Sequence, residues 1–150
     1  SGAYKIVDHI DFDNLKSEHS YDAQREYAIS KLANLQFMLE LHRRVSDYPI
    51  SAGAHPGVTE SNLSRYMEKE DYQQAIKQYG PLMPAWQGAL PALYAAVAPE
   101  VKGGDYYGPD GPNELKGYPA PAVLNLASRD ELQGKRLWEF AQEATGLIFP

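Results

Sequence analysis

The sequence predicts an α/β fold in which the strands form only part of a parallel sheet. Long stretches without glycine or proline have helical composition, and the strand candidates between them are short and number two or three. The predicted order is strand, helix, strand, helices, strand, helix. A parallel sheet this small leaves its faces and edges poorly covered. We therefore expect a preceding half of the domain, or a partner chain, to complete it.

The first elements are a short opening strand within residues 1–7 and a long helix at about 22–45. No glycine or proline occurs between Asp22 and Val45, and Ala, Leu, Glu, Gln and Arg dominate. Apolar and mixed residues recur on two neighbouring stripes at spacings of three and four, which predicts a helix covered on more than one side. The stripes are Ala28, Leu32, Leu35 and Leu39, and beside them Tyr27, Lys31, Asn34 and Met38.

The middle of the chain predicts a strand followed by a polar flap. Residues 48–54 have the composition of a short buried strand, which His55-Pro56-Gly57 ends sharply. Residues 60–80 are polar and helical in pattern, with few core candidates, so they predict an exposed flap. A second helix is predicted over residues 84–97, bent by Pro91. Its predicted apolar side comprises Trp86, Ala89, Leu90, Leu93, Tyr94 and Val97.

The last elements are a short strand and a terminal helix. Asp105-Tyr106-Tyr107 predicts a strand between two glycine-rich turns. Ser128 and Glu131 form the spacing of a capping box, which predicts a helix over about 129–145 that Gly146 stops. The residues predicted to face inward are Leu132, Leu137, Phe140, Ala141 and Ala144.

Composition excludes several classes of function. With 14 basic and 20 acidic residues the formal charge is −6, which argues against a nucleic-acid or anionic-membrane surface. No apolar run reaches the roughly 18 residues of a membrane span. The absence of cysteine excludes disulfides and zinc-thiolate sites and suits a reducing, cytoplasmic location. The histidines lack metal-ligand spacing, so we expect no metal site. The chain opens with Ser1 and its first methionine is Met38, which indicates a processed chain or a piece of a longer one.

Tyr27 and Lys31 are the main candidates for chemistry. Their spacing of four on a helix places a phenol beside an ammonium group. A free phenol, with a pKa of about 10, is a poor base at neutral pH, but a neighbouring cation stabilises its ionised form. Such a pair can exchange a proton with a substrate hydroxyl or carbonyl. Taken alone, the same spacing is also an ordinary feature of helix surfaces.

Residues 27–35, Tyr-Ala-Ile-Ser-Lys-Leu-Ala-Asn-Leu, resemble the active-site helix of the short-chain dehydrogenase/reductase family, in its retinol-dehydrogenase-like branch. Residues 54–58 are similar to the His-Pro-Gly turn of that branch. The resemblance runs in order from Ser1 to about Phe149, so several independent segments support it. The other matching segments are residues 10–15, 61–63, 87–96 and 103–111.

The resemblance implies a single domain portion over residues 1–150, the C-terminal part of a Rossmann-type, doubly wound parallel sheet. It implies an NAD(P)-dependent oxidoreductase that interconverts an alcohol and a carbonyl. Tyr27 would be the acid/base, and Lys31 would stabilise the phenolate and hold the cofactor's ribose hydroxyls. Ser1 is the candidate for the serine that orients the substrate oxygen.

The resemblance also implies which residues contact the cofactor and the substrate. Pro56, Gly57 and Val58 would line the nicotinamide, with the Val58 backbone facing its carboxamide. Ser61 would lie near the carboxamide and phosphates. The flap would cover the substrate with Tyr66, Met67, Tyr72 and Tyr79.

The family's glycine-rich phosphate loop has no counterpart here, since neither Gly103-Gly104 nor the turn at residues 108–111 opens a helix. We therefore expect NAD(P) to bind the complete enzyme and not to bind tightly to this chain alone. The expected partners are a small alcohol or carbonyl and either a missing N-terminal half or a second copy joined through the Tyr27 helix. The alternative is a non-catalytic truncated fragment that serves as an interaction or structural module.

Overall fold

The computed structural model describes residues 2–45, 50–66 and 68–149. Ser1, Met67 and the first two residues of the predicted strand at 48–54 lie outside the described residues. The chain forms two compact units. Unit 1 comprises residues 1–53, 102–105 and 123–150, and unit 2 comprises residues 54–101 and 106–122.

The regular elements confirm the predicted α/β class. In chain order they are α1 (Ala23–Arg44), β1 (Gly53–Ala54), α2 (Lys69–Tyr79), α3 (Ala85–Val97), β2 (Tyr106–Pro109), β3 (Pro119–Pro121) and α4 (Glu131–Thr145).

The sheet has the order β1-β2-β3. Its first two strands run parallel, because Gly53 N donates to Asp105 O at 2.8 Å and His55 N donates to Tyr107 O at 2.9 Å. β3 is antiparallel to β2, with Tyr107 opposite Pro121. The predicted parallel sheet is thus only partly parallel.

Two strands differ from their predicted extent. Of the described residues within the predicted strand at 48–54, only Gly53 and Ala54, both half-buried, form β1. β2 begins at Tyr106 and continues to Pro109, and all four of its residues are buried. β3 was not predicted, because a three-residue segment with two prolines has no strand pattern. Proline is tolerated there because β3 lies at the edge of the sheet, where part of its backbone needs no partner.

α1 begins and ends within one residue of its predicted limits. Asp22 caps it by accepting a hydrogen bond from Arg25 N at 2.7 Å. Basic residues in its last turn complement the negative end of the helix dipole. The first predicted stripe is the inner face, since Ala28, Leu32 and Leu35 are buried.

The opening segment of unit 1 is a 3-10 helix, Gly2–Ile6, and the prediction of a strand there is wrong. It packs against α1 through Tyr4, which is fully buried and donates its hydroxyl to Val123 O at 2.5 Å. Gln36 of α1 is also fully buried and donates to Ala127 O at 2.8 Å. The Tyr4–Val123 bond fastens the opening segment within unit 1, and the Gln36–Ala127 bond joins α1 to the turn before α4.

α4 packs against α1 through a buried charged and aromatic contact. The carboxylate of Glu40, which is 2 % exposed, accepts hydrogen bonds from Nε of Arg43 and of Arg44, both at 2.9 Å. The Arg44 guanidinium lies 4.7 Å from the centre of the Trp138 ring. Pairing the buried carboxylate with two arginines offsets the free-energy cost of removing it from water.

The predicted N-cap of α4 is wrong. Asp130, and not Ser128, is its N-cap, and its carboxylate accepts from Gln133 N at 3.0 Å. Ser128 is buried in a preceding 3-10 turn and donates its hydroxyl to Asn125 O at 2.8 Å. Gly146 ends the helix with φ +70°, as predicted.

The predicted inner face of α4 is wrong in part, since Leu137 and Ala141 are half-buried but the other three residues are exposed. Gly134 and Trp138 are buried, whereas Leu132 is 79 % exposed and Phe140 is 38 % exposed. Trp138 stacks on Phe37 of α1, with ring centres 5.1 Å apart, and also contacts the Arg44 guanidinium. A count of apolar spacings along α4 reveals neither contact. Local periodicity therefore gave the helix but not its orientation.

α3 in unit 2 contains Pro91, as predicted, but its predicted apolar side is only partly covered. Trp86, Leu93 and Val97 face solvent, while Tyr94 is half-buried, with its ring 5.0 Å from that of Tyr107. The buried residues of the helix are Gly88 and Pro91. A Cβ atom added at Gly88 would lie 2.1 Å from Cγ2 of Thr59, so glycine allows this close approach.

Within the residues that the structure describes, no helix combines the length and the apolar character that crossing a lipid bilayer requires.

The cap of α4 gives a stability prediction. Hydrogen bonds from the Gln133 backbone and side chain lower the pKa of Asp130 below its usual value. The carboxylate therefore contributes stability above the pKa of the unfolded chain and loses it as the pH falls through the lowered native pKa. Asp130→Ala should lower the free energy of unfolding by about 1 kcal/mol at pH 7. Urea denaturation measures the loss.

Asp130→Asn is the matched control, because asparagine keeps the cap acceptor and does not titrate. It should stay within a few tenths of a kcal/mol of the unsubstituted chain at pH 7. The gap between the unsubstituted chain and Asp130→Ala should narrow as the pH falls below about 4. A pH-independent gap would contradict the ionised cap.

Candidate active site

Tyr27 and Lys31 lie side by side on the outer face of α1. Nζ of Lys31 is 5.1 Å from the centre of the Tyr27 ring, and Tyr27 is 45 % exposed. Because Ala28 and Leu32 occupy the buried stripe, the helix geometry turns the residues before them outward. The phenol is therefore open to a reactant, with an ammonium group beside it.

The His-Pro-Gly turn follows β1 directly in unit 2. Gly57 has φ +67°, and a Cβ atom placed on it would lie 2.3 Å from Leu115 O, so glycine is required on both grounds. Gly57 N donates to Nδ1 of His55 at 3.3 Å. Val58 N donates to Leu115 O at 2.8 Å. The turn is therefore held by backbone contacts as well as by its own sequence.

His55 is a functional candidate that the sequence did not identify as more than a turn residue. It is 4 % exposed, and its Nε2 lies 3.2 Å from Oε2 of Glu114. Its ring lies 5.3 Å from that of Tyr106, centre to centre. Because Glu114 is far along the chain, no local pattern could have revealed the pair.

The predicted cofactor residues of unit 2 differ in exposure and in the hydrogen bonds that their backbone atoms already make. Pro56 is exposed, and so is Ser61, which precedes the 3-10 helix Asn62–Tyr66. Val58 N is engaged by Leu115, and Val58 O accepts from Met83 N at 3.1 Å. A carbonyl oxygen has a second lone pair, so Val58 O can still accept a bond from a ligand, whereas its N–H is taken.

The flap residues also lie in unit 2. α2 carries Tyr72, which is half-buried, and Tyr79, which is 36 % exposed. The Tyr66 backbone ends the preceding 3-10 helix. Two of the predicted site residues, Ser1 and Met67, lie outside the described residues.

The chain is similar to curated dehydrogenases along nearly its whole length. Retinol dehydrogenase 14 from Homo sapiens is 33 % identical over 99 % of the chain, which covers 43 % of that protein. Polyprenol dehydrogenase from Mus musculus is 32 % identical over 96 % of the chain, which covers 42 % of that protein. No protein-family profile matches the sequence.

The fold is similar to that of a solved structure. The crystal structure of an uncharacterized protein from Mycobacterium paratuberculosis is 26 % identical, with a TM-score of 0.71. The match covers 99 % of this chain and 48 % of the other. A match of this extent to about half of a longer chain indicates a partial Rossmann-like domain.

The chain belongs to the short-chain dehydrogenase/reductase family. It falls in the retinol-dehydrogenase-like branch and corresponds to the C-terminal part of such an oxidoreductase. The chain spans about two fifths of the length of the curated relatives it matches. The names of those relatives do not favour the alternative of a non-catalytic interaction module.

In this short-chain dehydrogenase/reductase, Gly57 gives a direct test of the turn. Gly57→Ala should lower the free energy of unfolding by about 2 kcal/mol, because alanine disfavours a positive φ and its Cβ would overlap Leu115 O. Chemical denaturation measures the loss. Gly2→Ala is the control, since nothing lies within 4 Å of a Cβ atom there. Equal stability of the two variants would contradict the described turn.

Proposed function

We propose that this chain supplies the acid/base pair of an NAD(P)-dependent oxidoreductase that interconverts an alcohol and a carbonyl. The exposed Tyr27–Lys31 pair on α1 is the observation that carries the proposal. The similarity to retinol dehydrogenases supports it, because the names of these enzymes describe the oxidation of an alcohol.

Tyr27 exchanges a proton with the substrate oxygen. In the oxidation direction the phenolate oxygen accepts the hydroxyl proton, and in the reduction direction the phenol donates it to the carbonyl oxygen. Lys31 places an ammonium group beside this phenol, with its Nζ 5.1 Å from the ring centre. The exposure of Tyr27 fits this role, since a fully buried phenol could not reach a substrate.

NAD(P) supplies hydride acceptance from the carbinol carbon, or hydride donation in reverse. The side chains present fit such a cofactor. The Lys31 ammonium group has three donors for ribose hydroxyls, and Tyr27 offers a further hydroxyl. At the turn, Pro56 is exposed, and Val58 O retains a free lone pair toward an amide donor. Ser61 adds an exposed position for the carboxamide and phosphate region.

The substrate we propose is an apolar alcohol or its carbonyl counterpart. Retinol and polyprenol, the alcohols in the names of two relatives, share a hydroxyl on a long hydrocarbon body. The flap helix α2 carries Tyr72 and Tyr79, whose rings can contact such a body. Tyr66 and Met67 stay predicted members of this surface, and Ser1 stays the predicted positioning group for the substrate oxygen.

Tyr27→Phe should abolish turnover, because the ring remains and only the proton-transferring hydroxyl is removed. The expected loss in kcat is at least about a hundredfold. It is measured by nicotinamide absorbance on a panel of apolar alcohols, using the longest natural polypeptide that contains this sequence. Tyr21→Phe is the matched control, since Tyr21 is 72 % exposed and precedes α1. Full activity of Tyr27→Phe would refute the assignment.

Lys31→Met should raise the KM for the cofactor and lower kcat, because it removes both the ribose donor and the cation beside Tyr27. Each change should be about tenfold or more. Lys31→Arg keeps the charge and should recover part of kcat, although its planar fork differs from a compact ammonium group. Steady-state kinetics in both substrates separate the two effects. An unchanged KM in Lys31→Met would count against ribose binding.

A further inference from the structure

Two segments of unit 2 that are far apart in sequence are joined by two short contacts, and a third contact lies within the turn itself. Gly57 N donates to Nδ1 of His55 at 3.3 Å. Nε2 of the same imidazole lies 3.2 Å from Oε2 of Glu114. Val58 N donates to Leu115 O at 2.8 Å. The turn after β1 is therefore fastened to the segment that follows β2, through one side-chain bridge and one backbone bond.

The imidazole lies between the two segments. Its Nδ1 accepts the hydrogen bond from Gly57 N, and its Nε2 lies 3.2 Å from a carboxylate oxygen of Glu114. The ring thus connects a backbone amide of the turn to a carboxylate on the opposite segment.

The ring has little freedom to leave this position. The side chain of His55 is 3 % exposed, and a Cβ atom added at Gly108 would lie 2.0 Å from its Nε2. Glycine at position 108 therefore provides the space in which the imidazole sits. The neighbouring Tyr106 ring closes another side.

The backbone that carries Glu114 is strained. Asn113 and Glu114 have φ values of +55° and +57°, in the left-handed region. Asparagine adopts this region readily, but a glutamate rarely does. Such a conformation persists when surrounding contacts hold it, and the carboxylate contact with His55 is one that does.

We propose that His55 and Glu114 form a clasp that holds residues 56–58 in the conformation that receives the nicotinamide end of the cofactor. This inference rests on the proposed function, because it adds two positioning residues to the same site. Neither residue takes part in the chemistry. The clasp fixes the backbone at Gly57 and Val58. In this position the exposed ring of Pro56 and the remaining lone pair of Val58 O can contact the nicotinamide end of the cofactor.

Glu114→Asn tests the clasp. Asparagine tolerates the left-handed backbone, but it is neutral and one methylene too short to reach His55. We expect the Kd for NADPH or NADH to rise about tenfold, measured by calorimetry on the longest natural polypeptide that contains this sequence. The Kd for 2′,5′-ADP or ADP, which lack nicotinamide, should stay within about twofold. Glu100→Asn, at an exposed glutamate of the same unit, is the control and should change neither.

His55→Asn is the second variant. Its Oδ1 can replace Nδ1 as the acceptor for Gly57 N but cannot reach Glu114, so it should weaken dinucleotide binding in the same selective way. Amide hydrogen exchange gives a readout that needs no ligand. The Val58 amide should exchange faster in both variants, while the Glu60 amide, bonded to Met83 O, should not change.

The outcomes separate the clasp from the proposed function. An unchanged affinity for NADPH or NADH in both variants would overturn the clasp. An equal loss of affinity for the dinucleotide and for 2′,5′-ADP or ADP would also overturn it, and so would loss of the fold in both variants. Failure of the unsubstituted protein to bind any of these probes would overturn the proposed function. In that case Val58 exchange would still decide whether the clasp holds the turn.

Discussion

The burial of one stripe of α1 is the constraint on which the proposed catalytic pair depends. Ala28, Leu32 and Leu35 are removed from water, and each buried leucine contributes roughly 2 kcal/mol to the stability of unit 1. A helix with one fixed buried stripe has no freedom to rotate. Tyr27 and Lys31 are therefore held on the outer face, close to each other and open to a reactant.

The second unit holds its turn at residues 55–58 in one conformation by a different means. It relies on close backbone approach at Gly57 and Gly88, and on the buried pair of His55 and Glu114, more than on a large apolar core. A glycine with no space for a Cβ atom and a buried histidine in contact with Glu114 leave little room for alternative arrangements. A turn held in this way suits a role in presenting backbone atoms to a ligand.

Several features that depend on neighbouring residues along the chain were predicted correctly from the sequence. The limits of α1 followed from a stretch without glycine or proline, and the end of α4 followed from Gly146. The family followed from several short segments, of which the one containing Tyr27 and Lys31 was the most informative. The roles of those two residues remain proposals, because proximity on a helix does not by itself demonstrate proton transfer.

The errors about α3 and α4 concern mainly orientation, because the direction a helix faces depends on what packs against it. The large residues Trp86 and Leu93 predicted an inward apolar face on α3, but both are exposed. The close contact with Thr59 is made instead at Gly88, which is buried. On α4, Trp138 contacts Arg44 and is buried, whereas Leu132, which was predicted to face inward, is exposed. In each case a specific partner from another element outweighs the average hydrophobicity of a stripe.

By itself the sequence determined the α/β class and the adjacency of Tyr27 and Lys31, since both depend on local spacing, and its resemblance to known segments indicated the family. Only the tertiary structure decided which helix faces are buried and that His55 meets Glu114 across 59 positions of the chain. The physical reason is the same for both. Contacts between distant segments are set by shape and by hydrogen-bond geometry in three dimensions, and these leave no period in the sequence.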